Sequence, residues 1–178
     1  SVGRSLGHMA AERVFAANPD NPLVQEIGTI VSTACLAHDM GNPPFGHSGE
    51  SAISEFFQNS TGSEFQSKLT PQQWADFVRF DGNANAFRIL TQQFSGKRPG
   101  GFALTYPTLA SIVKYPYESS LASRQKFGFF QSEKENFKIL AEELKIPKKE
   151  EEFLSYSRYP LVYLVEAADD ICYQIMDM

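Results

Sequence analysis

A histidine and an aspartate, His38 and Asp39, stand side by side at the end of an apolar helical pattern. The apolar residues before them recur at three- and four-residue steps, which predicts an amphipathic helix: Leu23, Ile27, Ile30, Val31, Ala34 and Cys35. The same steps reach His38 and Asp39. Gly41, Pro43 and Pro44 then end the helix, because proline disfavours helical geometry in the residue before it. Two polar side chains that face a core need partners, so the pair is either a site of chemistry or a hydrogen-bonded core histidine.

A second predicted helix carries acidic residues that could be those partners. Asp169, Tyr173 and Asp177 repeat at four-residue steps on the line that continues from Val165. One imidazole with two carboxylates suits a divalent ion such as Mn²⁺, Fe²⁺, Mg²⁺ or Zn²⁺, and such an ion lowers the pKa of a bound water. The alternative is that Asp169 and Asp170 are simply exposed or ion-paired. The residues alone leave both interpretations open.

His47 and Glu50 form the next candidate pair, three residues apart where a turn enters a helix. At this spacing a carboxylate can orient an imidazole and raise its basicity, which suits general acid–base catalysis. A solvated histidine beside a glutamate that interacts favourably with the helix dipole is the alternative. Lys114 and Lys126 are candidates for phosphate contacts, although most lysines are solvated surface residues.

The elements that must position these residues are predicted to be helices. Thr70 to Gln73 forms a capping box with proline at the first helical position, and Ser132 with Glu135 predicts a second one. The further predicted helices span 51–57, 71–80, 84–94, 108–113, 132–144 and a last stretch from Pro160, with 115–131 as a long excursion and His47 in a tight turn between Gly46 and Gly49. Because no alternating strand pair or internal repeat is present, the predicted fold class is all-α.

Length and composition bound the remaining possibilities. The 178 residues, 42% hydrophobic and 21% charged, fit one globular domain, and no apolar run approaches the roughly 18 residues of a spanning helix. The net charge of −5 argues against sequence-independent binding of nucleic acid, which needs a basic surface. Two cysteines within apolar helical patterns and the absence of a secretory leader predict a cytoplasmic setting. Because the chain starts without methionine and stops within a helical pattern, we expect an excerpt of a longer protein.

Segment 37–50, AHDMGNPPFGHSGE, resembles the His-Asp segment of the HD-domain deoxynucleoside triphosphate triphosphohydrolases, the dGTPase family. Three further segments resemble blocks of that family in the same order: 1–7, the tail of its first helix; 80–84, FDGNA, its FEGNA-type block; and 166–173, EAADDICY. Together they extend over nearly the whole chain. The resemblance implies an HD-domain helical bundle over 1–178, without the first metal-binding histidine and the C-terminal part of the longer protein.

The resemblance also implies roles for individual residues. The family binds one divalent metal through an H…HD…D set, so His38, Asp39 and Asp169 are three of the four expected ligands. The expected ion is Mn²⁺ or Mg²⁺, with Fe²⁺, Zn²⁺ or Ni²⁺ as alternatives. His47 and Glu50 are the implied catalytic pair. The implied substrate-binding residues are Asn83, Lys114 and Lys126 beside the nucleotide, and Tyr173 and Asp177 beside the deoxyribose.

The implied reaction is hydrolysis of dNTPs to a deoxynucleoside and inorganic tripolyphosphate. Asn42 favours dGTP, because the bacterial dGTP-preferring group has asparagine where many relatives have histidine. The resemblance further implies a homo-oligomer, with a dNTP or single-stranded DNA as an effector. Two other functions remain open: another HD-type nucleotide phosphohydrolase, such as a nucleotidase or a phosphodiesterase, and a nucleotide-sensing module without catalysis.

Overall fold

The computed structural model describes residues 2–18, 20–93, 95–96, 101–122, 125–150 and 152–176. The α-helices in these ranges are α1 (Val2–Val14), α2 (Leu23–Ala37), α3 (His47–Asn59), α4 (Pro71–Val78), α5 (Gly82–Thr91), α6 (Tyr106–Ile112), α7 (Lys134–Glu143) and α8 (Val162–Met176). Shorter 3₁₀ helices span Thr61–Lys68, Ser119–Leu121 and Gln131–Glu133. The β-type pairing in the described ranges is limited to two isolated bridges, Tyr117 with Ser155 and Lys148 with Tyr156. The prediction of an all-α fold is confirmed.

Helix α2 is the central element of the bundle and contacts α1, α6 and α8. Its approach to α1 is close, since a Cβ atom on Gly7 would lie 2.8 Å from the Cα of Gly28. Val31 and Ala34 on α2 are fully buried, whereas Leu23, predicted to face the core, is 49% exposed in the first turn. This packing brings the C-terminal end of α2 beside α6 and α8. None of the described helices is both long enough and apolar enough to cross a bilayer.

Two groups of buried apolar side chains fill the bundle. The larger joins α2, α5, α6, α7 and α8 and includes Val31, Ala34, Phe87, Leu90, Leu109, Phe129, Phe137, Leu140 and Val165. Within it Phe129 stacks on Phe137 with ring centroids 4.5 Å apart. The smaller group contains Phe127 and Phe130. These phenylalanines at 127–130 belong to the segment predicted as an excursion, so that segment contributes directly to the core.

One of the two predicted capping boxes is present and the other is not. Thr70 Oγ1 accepts a hydrogen bond from the Gln73 N–H at 3.2 Å, and Gln73 Oε1 accepts from the Thr70 N–H at 3.0 Å. The box predicted at Ser132 is wrong: α7 begins at Lys134 and its N-cap, Glu133, makes no side-chain cap. Ser132 instead donates to the Glu133 carboxylate at 2.8 Å, which in turn pairs with Arg88.

Several helix boundaries differ from the prediction, and at one of them a glycine changes the backbone direction. His47 is the first residue of α3 and not part of a turn, because Gly46 with φ of 55° lets the chain enter the helix there. Helix α5 ends at Thr91, before Phe94, which lies outside the described residues. Helix α8 begins at Val162. Its buried stripe ends near Ala168, since Cys172 and Ile175 are exposed.

Candidate active site

The candidate site lies where the C-terminal end of α2 meets the middle of α8. His38 follows the last turn of α2, and its N–H donates to the Ala34 carbonyl at 2.9 Å. Asp39 comes next, in a turn in which the Asn42 N–H donates to the Asp39 carbonyl at 3.1 Å. The Asn42 side chain also donates to Asp39 Oδ1 at 3.0 Å, which fixes the orientation of that carboxylate. Asp169 lies across from them on α8, partly exposed.

The His38 ring has one nitrogen bonded to the backbone and one without a hydrogen bond. Nδ1 lies 2.9 Å from the carbonyl oxygen of Cys35. Because a carbonyl only accepts, Nδ1 carries the proton, and in the neutral ring Nε2 presents a lone pair. Nε2 is buried and has no hydrogen-bond partner among the described residues. It lies 3.5 Å from Asp39 Oδ2 and 3.6 Å from Asp169 Oδ1.

The imidazole nitrogen and the two carboxylates are ligand types that bind divalent ions. Their atoms lie slightly farther apart than in a site that holds an ion, at 3.5 and 3.6 Å from Nε2. Two ligand atoms that each lie about 2.1 Å from one ion are about 3.0 to 3.4 Å apart. As they stand, the described residues contain no group of three or more His, Cys, Asp or Glu side chains arranged to hold a metal ion. A backbone carbonyl on the second ring nitrogen is the usual partner of a metal-binding histidine. Ion binding therefore requires the two carboxylates to close on Nε2.

A small cleft of about 100 Å³ opens in front of this pair of helices. It is lined by His38, Asp39, Asn83, Ser111, Ile112, Lys114, Val162, Val165, Glu166 and Asp169. The structure thus brings five of the residues singled out in the sequence to one cleft: His38, Asp39, Asn83, Lys114 and Asp169. A volume of this size holds a few waters, at roughly 30 Å³ each, or one phosphate group. A nucleoside would have to extend beyond it.

Lys114 is held at the cleft by an ion-pair network that sequence reasoning missed. Its Nζ lies 3.1 Å from Glu166 Oε1, and Arg158 Nη1 lies 3.0 Å from Glu166 Oε2. Arg158 Nε also donates to the Lys114 carbonyl at 2.8 Å. The guanidinium lies over the rings of Tyr115 and Tyr163, at 5.7 and 5.5 Å from their centroids. Glu166 belongs to the segment that carries the resemblance, but its spacing does not reveal that it pairs with Lys114.

Asp81 caps the helix that carries Asn83 and pairs with Lys126, which does not line the cleft. This fully buried carboxylate caps α5 by accepting from the Asn83 N–H at 3.0 Å, and it accepts from the Phe127 N–H at 2.9 Å. Lys126 Nζ lies 3.3 Å from Asp81 and 3.2 Å from Glu50. Burial opposes the charge of Lys126, but the two carboxylates outweigh it and raise the pKa of this lysine. The ammonium group is therefore charged and already paired.

His47 and Glu50 do not form the direct pair that their spacing suggested. Glu50 Oε1 accepts from the Gly82 N–H at 2.7 Å, and its Oε2 faces Lys126. No hydrogen bond joins His47 to Glu50 in the described structure, and His47 is exposed. Glu50 is turned toward α5 because the backbone N–H at the start of that helix competes for the carboxylate. Any orientation of His47 by Glu50 would need a rearrangement of these contacts.

The two residues expected beside the sugar lie toward the end of the described chain. Tyr173 is 60% exposed on α8 and does not line the cleft. Asp177 lies outside the described residues. Tyr173 is one turn beyond Asp169 on the same face of α8, so it lies past the end of the cleft.

Sequence comparison finds relatives over nearly the whole chain. It is 44% identical over 190 residues to a deoxyguanosinetriphosphate triphosphohydrolase-like protein of Synechocystis, and 43% identical over 182 residues to one of Pseudomonas aeruginosa. A deoxyguanosinetriphosphate triphosphohydrolase of Yersinia pseudotuberculosis is 34% identical over 207 residues. These alignments cover 97 to 99% of this chain but 38 to 43% of the relatives, so the chain spans well under half of their length. No protein-family model matches it. The homologues imply that the helical bundle is an HD domain.

Proposed function

We propose, on the premise that this chain is homologous to part of the dGTP triphosphohydrolase-like proteins, that it forms the catalytic core of a metal-dependent dNTP hydrolase. The products would be a deoxynucleoside and inorganic tripolyphosphate, and the favoured substrate is dGTP. One observation carries the proposal: the buried Nε2 of His38 has no hydrogen-bond partner in the described structure and faces the carboxylates of Asp39 and Asp169. A buried lone pair that faces two carboxylates is most simply explained by a cation between them, and we propose the divalent ion as that cation.

The proposed reaction needs positive charge at the phosphates and a proton at the leaving oxygen. His38, Asp39 and Asp169 would hold the divalent ion, which when bound neutralises phosphate charge and lowers the pKa of water. Water attacks the α-phosphorus, and the bond to the 5′-oxygen breaks with its electron pair remaining on that oxygen. His47 then donates a proton to the 5′-oxygen as general acid. Its exposure leaves it free to reach a substrate that extends out of the small cleft.

Triphosphate binding would have to compete with carboxylates for both lysines. Lys114 is paired with Glu166, and Lys126 is paired with Glu50 and Asp81. A triphosphate carries more negative charge than one carboxylate, so it can displace Glu166 from Lys114 while Arg158 retains Glu166. Release of Lys126 would in turn free Glu50 Oε2 to turn toward His47. The proposal therefore assigns both lysines a paired state before substrate binds.

The preference for dGTP rests on the family resemblance at Asn42, because the bacterial dGTP-preferring group has asparagine at that position. The Asn42 side chain donates to Asp39 Oδ1, so it supports the metal ligand and leaves Asp39 Oδ2 facing His38. The neutral amide of Asn42 orients the Asp39 carboxylate without adding a titratable group to the site. The homo-oligomer and the nucleotide or single-stranded DNA effector implied by the family resemblance remain part of the proposal.

The deciding experiment is hydrolysis of each dNTP by the full-length protein, with tripolyphosphate as the product measured. We expect Asp39→Ala to abolish tripolyphosphate release and Asp170→Asn, an exposed neighbour of Asp169, to leave it unchanged. Release of monophosphate or pyrophosphate instead would identify a different nucleotide phosphohydrolase. Binding of dGTP without any product would identify a nucleotide-sensing module.

A further inference from the structure

The two cysteines of the chain are 137 positions apart in sequence, yet they line one cavity. Cys35 on α2 and Cys172 on α8 share a space of about 340 Å³ behind the candidate metal site, closed on its third side by Val2 and Gly3 of α1. Gly3 makes room for the Cys35 thiol, since a Cβ there would lie 2.6 Å from Sγ. Cys172 is exposed and Cys35 is half-buried.

The register of the two helices places these cysteines opposite each other. The cleft in front joins the end of α2 to Val162, Val165 and Asp169, whereas the cavity behind joins the preceding turns of α2 to Ala168 and Cys172. Advancing along α8 therefore corresponds to going back along α2, so the helices are antiparallel where they meet.

The pairing of His38 with Asp169 sets the register for the next turn. His38 Nε2 lies 3.6 Å from Asp169 Oδ1. Cys35 precedes His38 by three residues and Cys172 follows Asp169 by three, and residues three apart share a helix face. The cysteines are thus the next cross-helix pair. Both thiols line the same cavity, which agrees with this register.

We propose that Cys35 and Cys172 are a modification site, at which a hydroperoxide oxidises the two thiols to an intramolecular disulfide between α2 and α8. The exposed Cys172 thiolate attacks the peroxide oxygen; the O–O bond breaks, and the leaving oxygen takes a proton to give water (from hydrogen peroxide) and a sulfenic acid. Cys35 then attacks that sulfur, the S–O bond breaks, and a second water leaves. The two thiols lose two electrons and two protons, and the peroxide is reduced.

The disulfide would act on the metal site through the helix backbone. A disulfide fixes the Cα atoms of its cysteines about 4.4 to 6.8 Å apart, so it would set the separation of α8 and α2 across the cavity. His38 and Asp169 lie one turn away on the same two helices. The Cys35 carbonyl also accepts the hydrogen bond that orients the His38 ring. Oxidation therefore changes the position of two candidate ligands without touching their side chains.

The test is oxidation of the reduced full-length protein with hydrogen peroxide, followed by intact-mass measurement and peptide mapping without reductant. We expect loss of two hydrogen atoms and a linked peptide pair containing Cys35 and Cys172 in the wild type. Cys35→Ser, Cys35→Ala and Cys172→Ser should give no linked pair, with circular dichroism reporting whether each variant is folded. Two outcomes would overturn the proposal. One is a sulfenic acid at Cys172 with no link to Cys35, and the other is a disulfide that forms only between two chains.

A second measurement separates the disulfide from its effect on the site. Mn²⁺ affinity of the oxidised and reduced protein, measured by titration without nucleotide, should differ by about tenfold or more, the usual scale for perturbing the supports of metal ligands. Cys172→Ser should bind Mn²⁺ equally with and without peroxide. Equal affinity in oxidised and reduced wild type would overturn the coupling to His38 and Asp169. Neither measurement depends on dNTP hydrolysis, so failure of the proposed function would be recognised separately.

Discussion

At the scale of one residue, the hydrogen bonding of His38 supports the proposed metal site over the alternative of a hydrogen-bonded core histidine. A satisfied core histidine uses both ring nitrogens, but here only Nδ1 is bonded, to the Cys35 carbonyl. Leaving the buried Nε2 without a partner costs about 1 to 3 kcal/mol. Under the proposed function, coordination of an ion by Nε2 together with Asp39 and Asp169 would recover that cost. The unpartnered Nε2 therefore supports the proposed ion, which would bind once the two carboxylates close on it.

Replacing Asp169 by Asn should weaken metal binding because the ion loses an anionic ligand while the shape of the side chain is kept. We expect the affinity for Mn²⁺, measured by calorimetric titration, to fall by about tenfold or more. Asp170→Asn is the matched control, since Asp170 is the exposed neighbour on the same helix. Equal affinities in the two variants would place the ion elsewhere.

Replacing His47 by Ala should separate proton transfer from metal binding. If His47 donates the proton to the leaving oxygen, the single-turnover rate should fall on the order of 10² to 10⁴-fold, the usual effect of one acid–base group. Metal content, measured by elemental analysis, should stay at the wild-type level because His47 is not one of the three candidate ligands. Ser48→Ala provides the control at the next exposed position. Loss of metal in His47→Ala would make it a ligand.

The candidate site could be predicted from sequence to the extent that it depends on local periodicity. His38 and Asp39 are predicted as candidates because an apolar stripe continues to them and proline ends the helix after them. The partners of Lys114 could not be found in that way. Arg158 and Glu166 reach it from a different part of the chain, and only tertiary packing brings Glu166 to within 3.1 Å of the lysine.

At the scale of the element, helix ends can be predicted where neighbouring residues determine them and cannot where distant residues do. The capping box at Thr70 was predicted correctly because all its atoms come from four consecutive residues. The box at Ser132 was wrong because Arg88, 44 residues away, donates to Ser132 Oγ at 2.7 Å and to Glu133. A charged long-range partner outcompetes a neutral local cap. His47 was misplaced for a third reason, since Gly46 allows α3 to start earlier than the apolar pattern suggests.

Replacing Thr70 by Ala should destabilise α4, because the Gln73 N–H then loses its acceptor at the start of the helix. The expected cost is about 1 kcal/mol in the free energy of unfolding, measured by urea denaturation. Thr61→Ala is a suitable control, as Thr61 is exposed and does not cap an α-helix. A change equal to that of the control would mean that the box contributes nothing to stability.

Buried acidic groups connect distant parts of the whole molecule. Glu118 is fully buried, and although burial alone would raise its pKa, bonds from the Leu154 N–H, Lys134 and Gln131 outweigh it and lower the pKa. Gln131 also links this carboxylate to Asp76 on α4, whose Oδ2 accepts the Gln131 N–H at 2.7 Å. Asp76 Oδ1 accepts from the Ser119 hydroxyl at 2.6 Å. The network joins α4 to the segments before and after the phenylalanines of the smaller core group.

Asp76 should make the stability of the molecule depend on pH. Burial raises its pKa from the ordinary 3.8 to about 6, against the opposing effect of the bonds from Gln131 and Ser119. Because the folded state binds this proton more tightly than the unfolded chain, the stabilising contribution is complete below pH 3.8 and is lost as the pH rises through 6.

The matching variant is Asp76→Asn, whose amide can still accept from the Gln131 N–H and donate to the Ser119 oxygen. Between pH 5 and pH 8 the free energy of unfolding of the wild type should fall by about 1 to 2 kcal/mol more than that of Asp76→Asn. Urea denaturation at four pH values in this window measures the difference, with Asp20→Asn as the exposed control. Parallel pH profiles for the wild type and Asp76→Asn would contradict the prediction and show that Asp76 titrates outside this window.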